Sequence, residues 1–371
     1  MNRPLPPTSS ESSPAACERP ARERGAVRAR ASIGVARRHA NLVIAAAGVL
    51  LLVLMGASLL LGRFPIDPVH AVLMLVDRVL PVEQVWTDQQ ATLFFNVRLP
   101  RIALSVIVGA SLAAAGAAFQ GTFRNPLVSP DVLGASQGAA LGAAVALLTG
   151  AGAYAVSLWA FAFAMATVLV VMAVSGRARG VDHALTVVLV GVMVSSLCQA
   201  GVSFAKLVAD PNDQLPAITY WLMGSLTSAR AGDIAFVLPP VLLGAGILFA
   251  LRWRINLLTM GDDEARTMGV DARRMRLAVM FAATLLTAAS VSVSGMIGWV
   301  GLVVPHVARM LIGCDYRRLL PASMLFGASF LLVVDNVSRL AYSAEIPLGI
   351  LTAFMGAPFF LYLILQRRAR V

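Results

Sequence analysis

The chain is poor in charge. Only 13% of its 371 residues are Asp, Glu, Lys or Arg, whereas 58% are hydrophobic; soluble domains average roughly 25% and 45–50%. Lysine is nearly absent, and Lys206 is its single example. This composition excludes an ordinary soluble protein and indicates a chain that crosses a lipid bilayer several times.

The scarcity of lysine also limits the chemistry. A phosphate-binding loop needs a Lys followed by Ser or Thr after a glycine-rich turn, but Lys206 stands in the context AKLV. The chain is therefore not a P-loop ATPase and is not predicted to be an enzyme. We expect it to bind no cofactor, so that any ATP and Mg would be used by a partner subunit.

Metal ligands and catalytic sets are equally scarce. The three cysteines are isolated from one another, so neither a disulfide framework nor a Cys-rich metal site is readable. No two histidines have metal-ligand spacing; the four are His39, His70, His183 and His306. No Ser, His and carboxylate set stands in a recognisable catalytic frame. No metal site is predicted, although folding could still bring scattered ligands together.

The sequence contains long apolar runs. Leu42 to Leu61 form an uncharged run of about the length that crosses a bilayer as a helix. Further spans are predicted approximately at 97–119, 132–149, 155–174, 184–205, 234–251, 277–297, 299–313, 319–340 and 347–365. The predicted fold class is an all-α polytopic membrane protein with about ten transmembrane helices.

Basic residues fall mainly on one side of this arrangement. With the N terminus in the cytoplasm, 23 of the 30 Lys and Arg residues lie in inner segments, as the positive-inside rule requires. This predicts a multi-pass membrane protein with both termini cytoplasmic. Residues 1–40 carry eight Arg, three Glu and no apolar periodicity, which predicts a disordered basic tail. Topology explains this tail without a nucleic-acid partner.

Glycines at helical spacing predict close helix packing. Gly134, Gly138 and Gly142 recur every four residues in the third span, and Gly109 with Ala113 repeats the pattern in the second. Such stripes let helix backbones touch. Glycines that line a substrate path are a compatible alternative.

The segment GDDEARTMGV holds the densest charge between the first and last spans. It is predicted to be a short helix on the cytoplasmic side, with Asp262 as its N-cap, Asp263 and Glu264 complementing the helix dipole, and Gly269 closing it. Ala265 and Met268, three residues apart, are expected to form a small apolar face. A solvated loop helix is the alternative to a contact surface.

Arginines on the outer side run against the prevailing charge bias. Arg98 and Arg101 open the second span, and Arg339 closes the ninth. They could snorkel to lipid headgroups, or they could form a basic rim that captures acidic side chains of a soluble partner. Asp335 and Asn336 lie deeper in the ninth span, where proton coupling is one interpretation and a hydrogen bond between helices is the favoured one.

Four segments together resemble the permease family of the vitamin B12 and iron–siderophore ABC importers, the BtuC and FecCD group. They are RLPRIALSVIVGASLAAAGAAFQGTFRNPLVSPDVLGAS from Arg98, GDDEARTMGV from Gly261, SGMIGWVGLVVPHVARML from Ser294, and DNVSRLAYSAEIPLGILTAFMGAPFFLYLIL from Asp335. They cover most of residues 41–366 in the order expected for the family. The resemblance implies the BtuC-like type II ABC importer fold, with residues 41–371 as the permease domain.

The resemblance also implies partners and sites. Family permeases form a two-fold dimer with two cytoplasmic ATPases and a periplasmic binding protein. By resemblance, GDDEARTMGV is the segment that couples to the ATPase. The family's motif positions are occupied by Gly261, Asp262, Glu264, Ala265 and Gly269, and Asp263 and Met268 complete the predicted coupling residues. The binding protein would dock on Arg98, Arg101 and Arg339. The turn Asn125, Pro126 and Leu127 would narrow the cytoplasmic end of the pathway.

The substrate expected from this resemblance is a ferric siderophore or a related metal chelate. The segment RNPLVSPDVLG resembles siderophore members more than haem or vitamin B12 members, which remain alternatives. An ion-coupled secondary transporter would have to use Asp335, its one strong embedded acid. An intramembrane enzyme would need a reactive constellation that the sequence does not show.

Overall fold

The computed structural model describes residues 19–62, 64, 66–80, 82–177 and 183–368. These residues are helical, with turns and extended connections between the helices and no strand among them. The helices are α1 Arg19–Leu60, α2 Pro68–Val76, α3 Asp88–Thr92, α4 Leu99–Thr122, α5 Ala135–Leu148, α6 Ala153–Ser175, α7 His183–Val208, α8 Gln214–Met223, α9 Ala231–Met260, α10 Asp262–Thr267, α11 Ala272–Ser294, α12 Val300–Ile312, α13 Tyr316–Leu340 and α14 Leu348–Arg368. A π-helical turn, Leu93–Arg98, joins α3 to α4.

The predicted spans match this set of helices. Seven helices of the described chain are long and apolar enough to cross a membrane, and α5, α12 and α14 are shorter apolar helices. Together these ten elements occupy the ten predicted positions, so the all-α polytopic fold class is confirmed. The short helices α2, α3, α8 and α10 lie between them.

Helix α4 is the centre of the core. It packs against α9, α11, α12 and α13, and nearly all its residues from Pro100 onward are buried. Gly109 makes the contact with α13 possible, because a Cβ atom there would overlap the backbone carbonyl of Gly327. A side chain on Gly138 would likewise meet Thr167 and the carbonyl of Phe163 on α6. The prediction that these glycines serve close packing is confirmed at both contacts.

Two predicted spans are interrupted. The predicted span 132–149 is a short 3₁₀ turn, Pro130–Leu133, followed by α5, because Gly134 adopts a left-handed conformation with φ 78° that a continuous helix does not allow. The predicted spans 277–297 and 299–313 are separated by a longer non-helical segment, residues 295–299, than the sequence indicated. Trp299, at φ 70°, sets the start of α12.

Helix α1 begins well before the first span. It starts at Arg19, so residues 19–40, predicted as part of the disordered tail, are helical. Their many Ala and Arg residues have high helix propensity, and the span that follows continues the same helix. Residues 1–18 of the predicted tail lie outside the described residues.

Candidate functional site

The predicted charged segment is a short helix at one end of the molecule. Helix α10 follows α9 after one residue, Gly261, whose φ of 138° turns the chain. Its C-terminal end is closed by Gly269 in the left-handed region at φ 79°, as predicted. The N–H of Val270 donates to the carbonyl of Ala265 at 2.9 Å, which is typical of a helix ended by such a glycine.

The predicted cap of this helix is wrong. Gly261 occupies the N-cap position, and no side chain caps the helix. Asp262 is the first helical residue, and its Oδ1 accepts a hydrogen bond from Nη2 of Arg276 on α11 at 2.8 Å. Only 7% of the Arg276 side chain is exposed, and a buried guanidinium needs a charged partner more than a helix start needs a cap. The pair fastens α10 to α11.

The predicted apolar face of α10 is also wrong. Ala265 is fully buried in the core, whereas Met268 is 57% exposed. Met268 lies after the last residue of this six-residue helix, at its C-cap position. The outward surface instead combines Met268 with the charged side chains of Asp263, Glu264 and Arg266, all of them exposed.

The turn predicted as a gate lies at the same end. Asn125 Oδ1 accepts a hydrogen bond from the N–H of Leu127 at 2.9 Å, a local turn that such residues favour. Asn125 and Pro126 line a pocket of about 230 Å³ together with Thr259 at the end of α9 and Tyr316 at the start of α13. The gate role itself stays a prediction.

At the opposite end, a buried ion-pair cluster joins three helices. We call Arg98, Arg101, Asp335, Arg339 and Glu345 the outer cluster. Nε and Nη2 of Arg101 on α4 both lie 2.9 Å from Oδ1 of Asp335 on α13. Nε of Arg339 lies 3.4 Å from the other oxygen of Asp335. Asp335 has no exposed side-chain surface, so it serves as a shared counter-ion inside the protein.

The remaining contacts of these arginines reach α1. Arg98 donates to the backbone carbonyls of Leu59 and Leu60 at the end of α1 and to that of Phe64 in the connection after it. Arg339 donates to Ser58 Oγ at 2.7 Å and to Asn336 Oδ1. The favoured interpretation, in which polar groups of α13 join helices, therefore agrees with the geometry.

The three outer arginines lie together but are not free. Their exposed fractions are 3% for Arg98, 4% for Arg101 and 8% for Arg339. With Glu345 they line a small pocket of about 130 Å³. Three arginines and two carboxylates leave the outer cluster with one formal positive charge. Docking of a binding protein on these residues stays a prediction, and it would have to use this pocket rather than a protruding rim.

The structure has an apolar groove whose lining residues were not predicted from the sequence. It has a volume of about 630 Å³ and lies between α8, α14 and the non-helical residues 296–299. Its lining contains no charged residue and consists of Leu222, Met223, Met296, Gly298, Trp299, Gly349, Ile350, Ala353, Phe354, Ala357 and Pro358. Non-helical backbone at membrane depth is tolerated where it lines a cavity or is buried in protein. The positive φ of Trp299 is a strain that marks many functional positions.

Sequence reasoning also missed Arg276, Ser58 and Glu345 as partners. The GMIGW segment before α12 was a usable signal for the groove, because two glycines interrupt an apolar run there. The three missed partners gave no such signal, since they lie 14 to 281 residues along the chain from the residues that they contact. Within the described residues, no three His, Cys, Asp or Glu side chains are grouped to hold a metal ion.

Comparison with known proteins now decides the family. The model of the FecCD transport family matches residues 50–366. The chain belongs to the FecCD transport family. It is 41% identical over 271 residues to the molybdate import system permease MolB of Haemophilus influenzae, covering 73% of this chain and 80% of the relative. It is 42% identical over 276 residues to the cobalamin import system permease BtuC of Halobacterium salinarum, covering 74% of each.

A solved structure supports the same assignment. An ABC transporter of the metal-chelate type in an inward-facing conformation is 37% identical, with a TM-score of 0.79 over 88% of this chain and 99% of that one. As a FecCD member, the chain is a membrane-spanning permease subunit of an ABC importer of the metal-chelate, haem and vitamin B12 type. ATP hydrolysis belongs to a separate subunit. The resemblance inferred from the sequence is confirmed.

Proposed function

We propose that this FecCD permease moves a ferric siderophore, or a closely related metal chelate, from the periplasm to the cytoplasm by alternating access. The observation that carries the proposal is the uncharged lining of the groove between α8 and α14. Haem and vitamin B12 are the alternative cargoes.

The groove suits a cargo in which an organic chelator encloses the metal ion. Met223, Met296, Trp299 and Phe354 offer soft and aromatic surface but no formal charge. Transport requires binding that is weak enough to release the ligand, and a bulky chelate presents mainly organic surface to such a lining. The lining of the groove offers no cation to a small bare oxyanion such as molybdate, the substrate in the name of the MolB import system of Haemophilus influenzae. The segment RNPLVSPDVLG favours a siderophore over haem or vitamin B12.

The charged inner segment is the proposed contact for the ATPase. Asp263, Glu264 and Arg266 on α10, and Met268 directly after it, are all exposed. The ion pair between Asp262 and Arg276 holds the helix to α11. A helix that is attached to the bundle and charged on its outer face can couple a conformational change of a soluble partner to the bundle. This arrangement supports a cytoplasmic position for the segment, with both chain termini cytoplasmic and the protein in the bacterial inner membrane.

Two further partners complete the proposal. A periplasmic binding protein would place an acidic side chain in the pocket of the outer cluster. A second permease copy, identical or paralogous, would cover the groove, whose lining includes the apolar side chain of Phe354, 75% exposed. The bilayer would cover the remaining apolar surface.

Reconstituted uptake tests the cargo. Proteoliposomes holding the permease, its ATPase and its binding protein are given ferric siderophores, haem, cobalamin and molybdate side by side. We expect ATP-dependent uptake of a ferric siderophore. Uptake of cobalamin alone, haem alone or molybdate alone would overturn the substrate assignment.

The same vesicles test the rival mechanism. Uptake without ATP that is abolished by Asp335→Asn would indicate an ion-coupled secondary transporter. The position of Asp335 between Arg101 and Arg339 supports the opposite expectation: ATP is required, and the aspartate acts as a structural counter-ion.

A further inference from the structure

Glu345 stands apart from the residues carried over from the family. It lies in the loop between α13 and α14, and its side chain is 26% exposed. Its Oε1 accepts a hydrogen bond from Nη1 of Arg101 at 3.0 Å, and its Oε2 lies 2.9 Å from the same nitrogen. Arg101, a predicted docking residue, therefore already holds a carboxylate of its own chain.

The carboxylate has a second partner on another loop. The Oγ1 hydroxyl of Thr227, between α8 and α9, donates to Oε2 of Glu345 at 2.7 Å. Because a threonine hydroxyl has one proton to donate, Thr227 accepts from its other neighbours. These are Ser225 Oγ at 2.6 Å and the hydroxyl of Tyr220 on α8 at 3.2 Å. A continuous hydrogen-bonded chain therefore runs from α4 to α8.

This chain of contacts leads to the groove. The N–H of Leu348, at the start of α14, donates to the carbonyl of Gly224, directly after α8, at 2.8 Å. Met223 and Gly349, the immediate neighbours of these two residues, both line the groove. Glu345 is three residues before α14, so a shift of Glu345 acts on the part of the groove where α8 meets α14.

The geometry of Arg101 leaves one exchangeable position. Its Nε and Nη2 atoms face the fully buried Asp335, whereas Nη1 pairs with the partly exposed Glu345. Arg101 and Glu345 both line the pocket of about 130 Å³ at the outer end. An acidic side chain entering that pocket to pair with Arg101 must compete with Glu345 for Nη1. Glu345 is thus placed where a docking partner's carboxylate would have to bind.

We propose that Glu345 is a positioning residue that links docking of the binding protein to the outer end of the groove. In the resting permease it holds Arg101 and Thr227 together. An acidic side chain of the docked binding protein replaces Glu345 at Arg101, and the released loop frees Thr227 and loosens α8 against the start of α14. This inference rests on the proposed function, in particular on docking at the outer cluster.

Binding affinity gives the first test. Purified permease in nanodiscs is titrated with its binding protein, and Glu345→Gln is compared with Asp233→Asn. Asp233 is the matched control, because it lies near the same outer surface and, within the described part of the chain, its carboxylate accepts from the backbone N–H of Arg230 alone. The Glu345 carboxylate competes for Arg101, and such a partly exposed ion pair contributes about 1 kcal/mol. Its removal in Glu345→Gln should therefore increase the affinity for the binding protein by roughly fivefold. Asp233→Asn should leave this affinity unchanged.

Access to the groove gives the second test. A cysteine at Met223, in a background with Cys17, Cys198 and Cys314 replaced by Ser, is labelled with a membrane-impermeant thiol reagent with and without saturating binding protein. We expect the binding protein to raise the labelling rate several-fold. Thr227→Val should abolish this rise with little change in affinity, and Thr227→Ser, which keeps the hydroxyl, should retain it.

Each outcome decides a different claim. If Glu345→Gln binds no more tightly than Asp233→Asn, or if Thr227→Val responds like Thr227→Ser, the linking role of Glu345 is wrong while docking stands. If the parent permease binds no binding protein at all, docking at the outer cluster is wrong, and the role of Glu345 falls with it.

Discussion

Asp335 at the outer end has no exposed side-chain surface, whereas Asp263 at the inner end is 94% exposed. The arginines differ in the same way, since Arg101 is 5% and Arg266 is 70% exposed at the side chain. Both regions were predicted as docking surfaces from similar sequence signals. The difference shows that charge at a helix end can be either an internal framework or a free contact surface, and that partners distant in the sequence decide which. Four substitutions or conditions should separate these two uses.

Removal of the shared counter-ion should have the largest effect. Asp335→Ala leaves Arg101 and Arg339 buried without their carboxylate, and breaking a buried pair in this way costs about 3–5 kcal/mol. We expect the thermal unfolding midpoint of the detergent-solubilised permease to fall markedly. Asp263→Ala is the inner-end control and should leave the midpoint unchanged; equal effects would remove the contrast between the two ends.

Backbone strain at the inner end should have a moderate effect. Gly269 has φ 79°, and a Cβ atom there would meet no neighbour, so Gly269→Ala tests conformation alone. A left-handed alanine costs about 1–2 kcal/mol. We expect reduced ATP-dependent uptake with a nearly unchanged unfolding midpoint, because α10 carries little of the core. A large loss of stability would show that the segment is part of the framework.

Charge exchange tests the ion pair that joins the inner segment to α11. Asp262→Arg alone should reduce uptake, because α10 loses the ion pair that positions it on α11. The loss of this pair costs roughly 1 kcal/mol, since Asp262 is 38% exposed. The double variant Asp262→Arg with Arg276→Asp should restore much of the uptake. The exposed pair Asp263 and Arg266, 3.9 Å apart, offers the matched exchange, which should change stability little. Failure of the double variant to recover would argue against a positioning role for the pair.

Salt should have the smallest effect and should act on one end only. Raising the ionic strength from about 0.1 M to 1 M shortens the Debye length from about 10 Å to 3 Å. The ATPase contact through exposed charges should weaken, as measured by the affinity of the ATPase for the permease. The unfolding midpoint, which depends on the buried outer cluster, should change much less. If salt lowered the unfolding midpoint but left the affinity of the ATPase for the permease unchanged, the assignment of the buried framework to the outer end and the contact surface to the inner end would be contradicted.

Hydrophobic runs were sufficient to predict the helices, because a transmembrane span is a local pattern of about twenty apolar residues. The closing role of Gly269 was predictable for the same reason. The failures at Asp262 and Ala265 have a non-local cause: Arg276, 14 residues away, draws Asp262 out of the cap position, and core packing takes Ala265 inward. The outer arginines were placed at the right end, but their burial depends on Asp335, 234 residues from Arg101, which no local pattern reveals.

The groove shows the same limit. Its lining comes from α8, residues 296–299 and α14, which are distant in the chain and individually look like ordinary apolar segments. The interruption at Gly295, Gly298 and Trp299 is visible in the sequence only as two glycines in an apolar run. The positive φ of Trp299 follows from packing and could not be inferred from its residue type.

The most direct test of the account concerns α10 as the contact for a separate ATPase. Glu264 is exposed on that helix, and Glu264→Arg reverses its charge while it leaves both partners of the Asp262–Arg276 ion pair in place. The measurement is ATPase co-purification together with ATP-dependent uptake in the same membranes, with the unfolding midpoint as the folding control. We predict that both fall while the midpoint is kept. Retention of both co-purification and uptake would contradict the assignment of this segment.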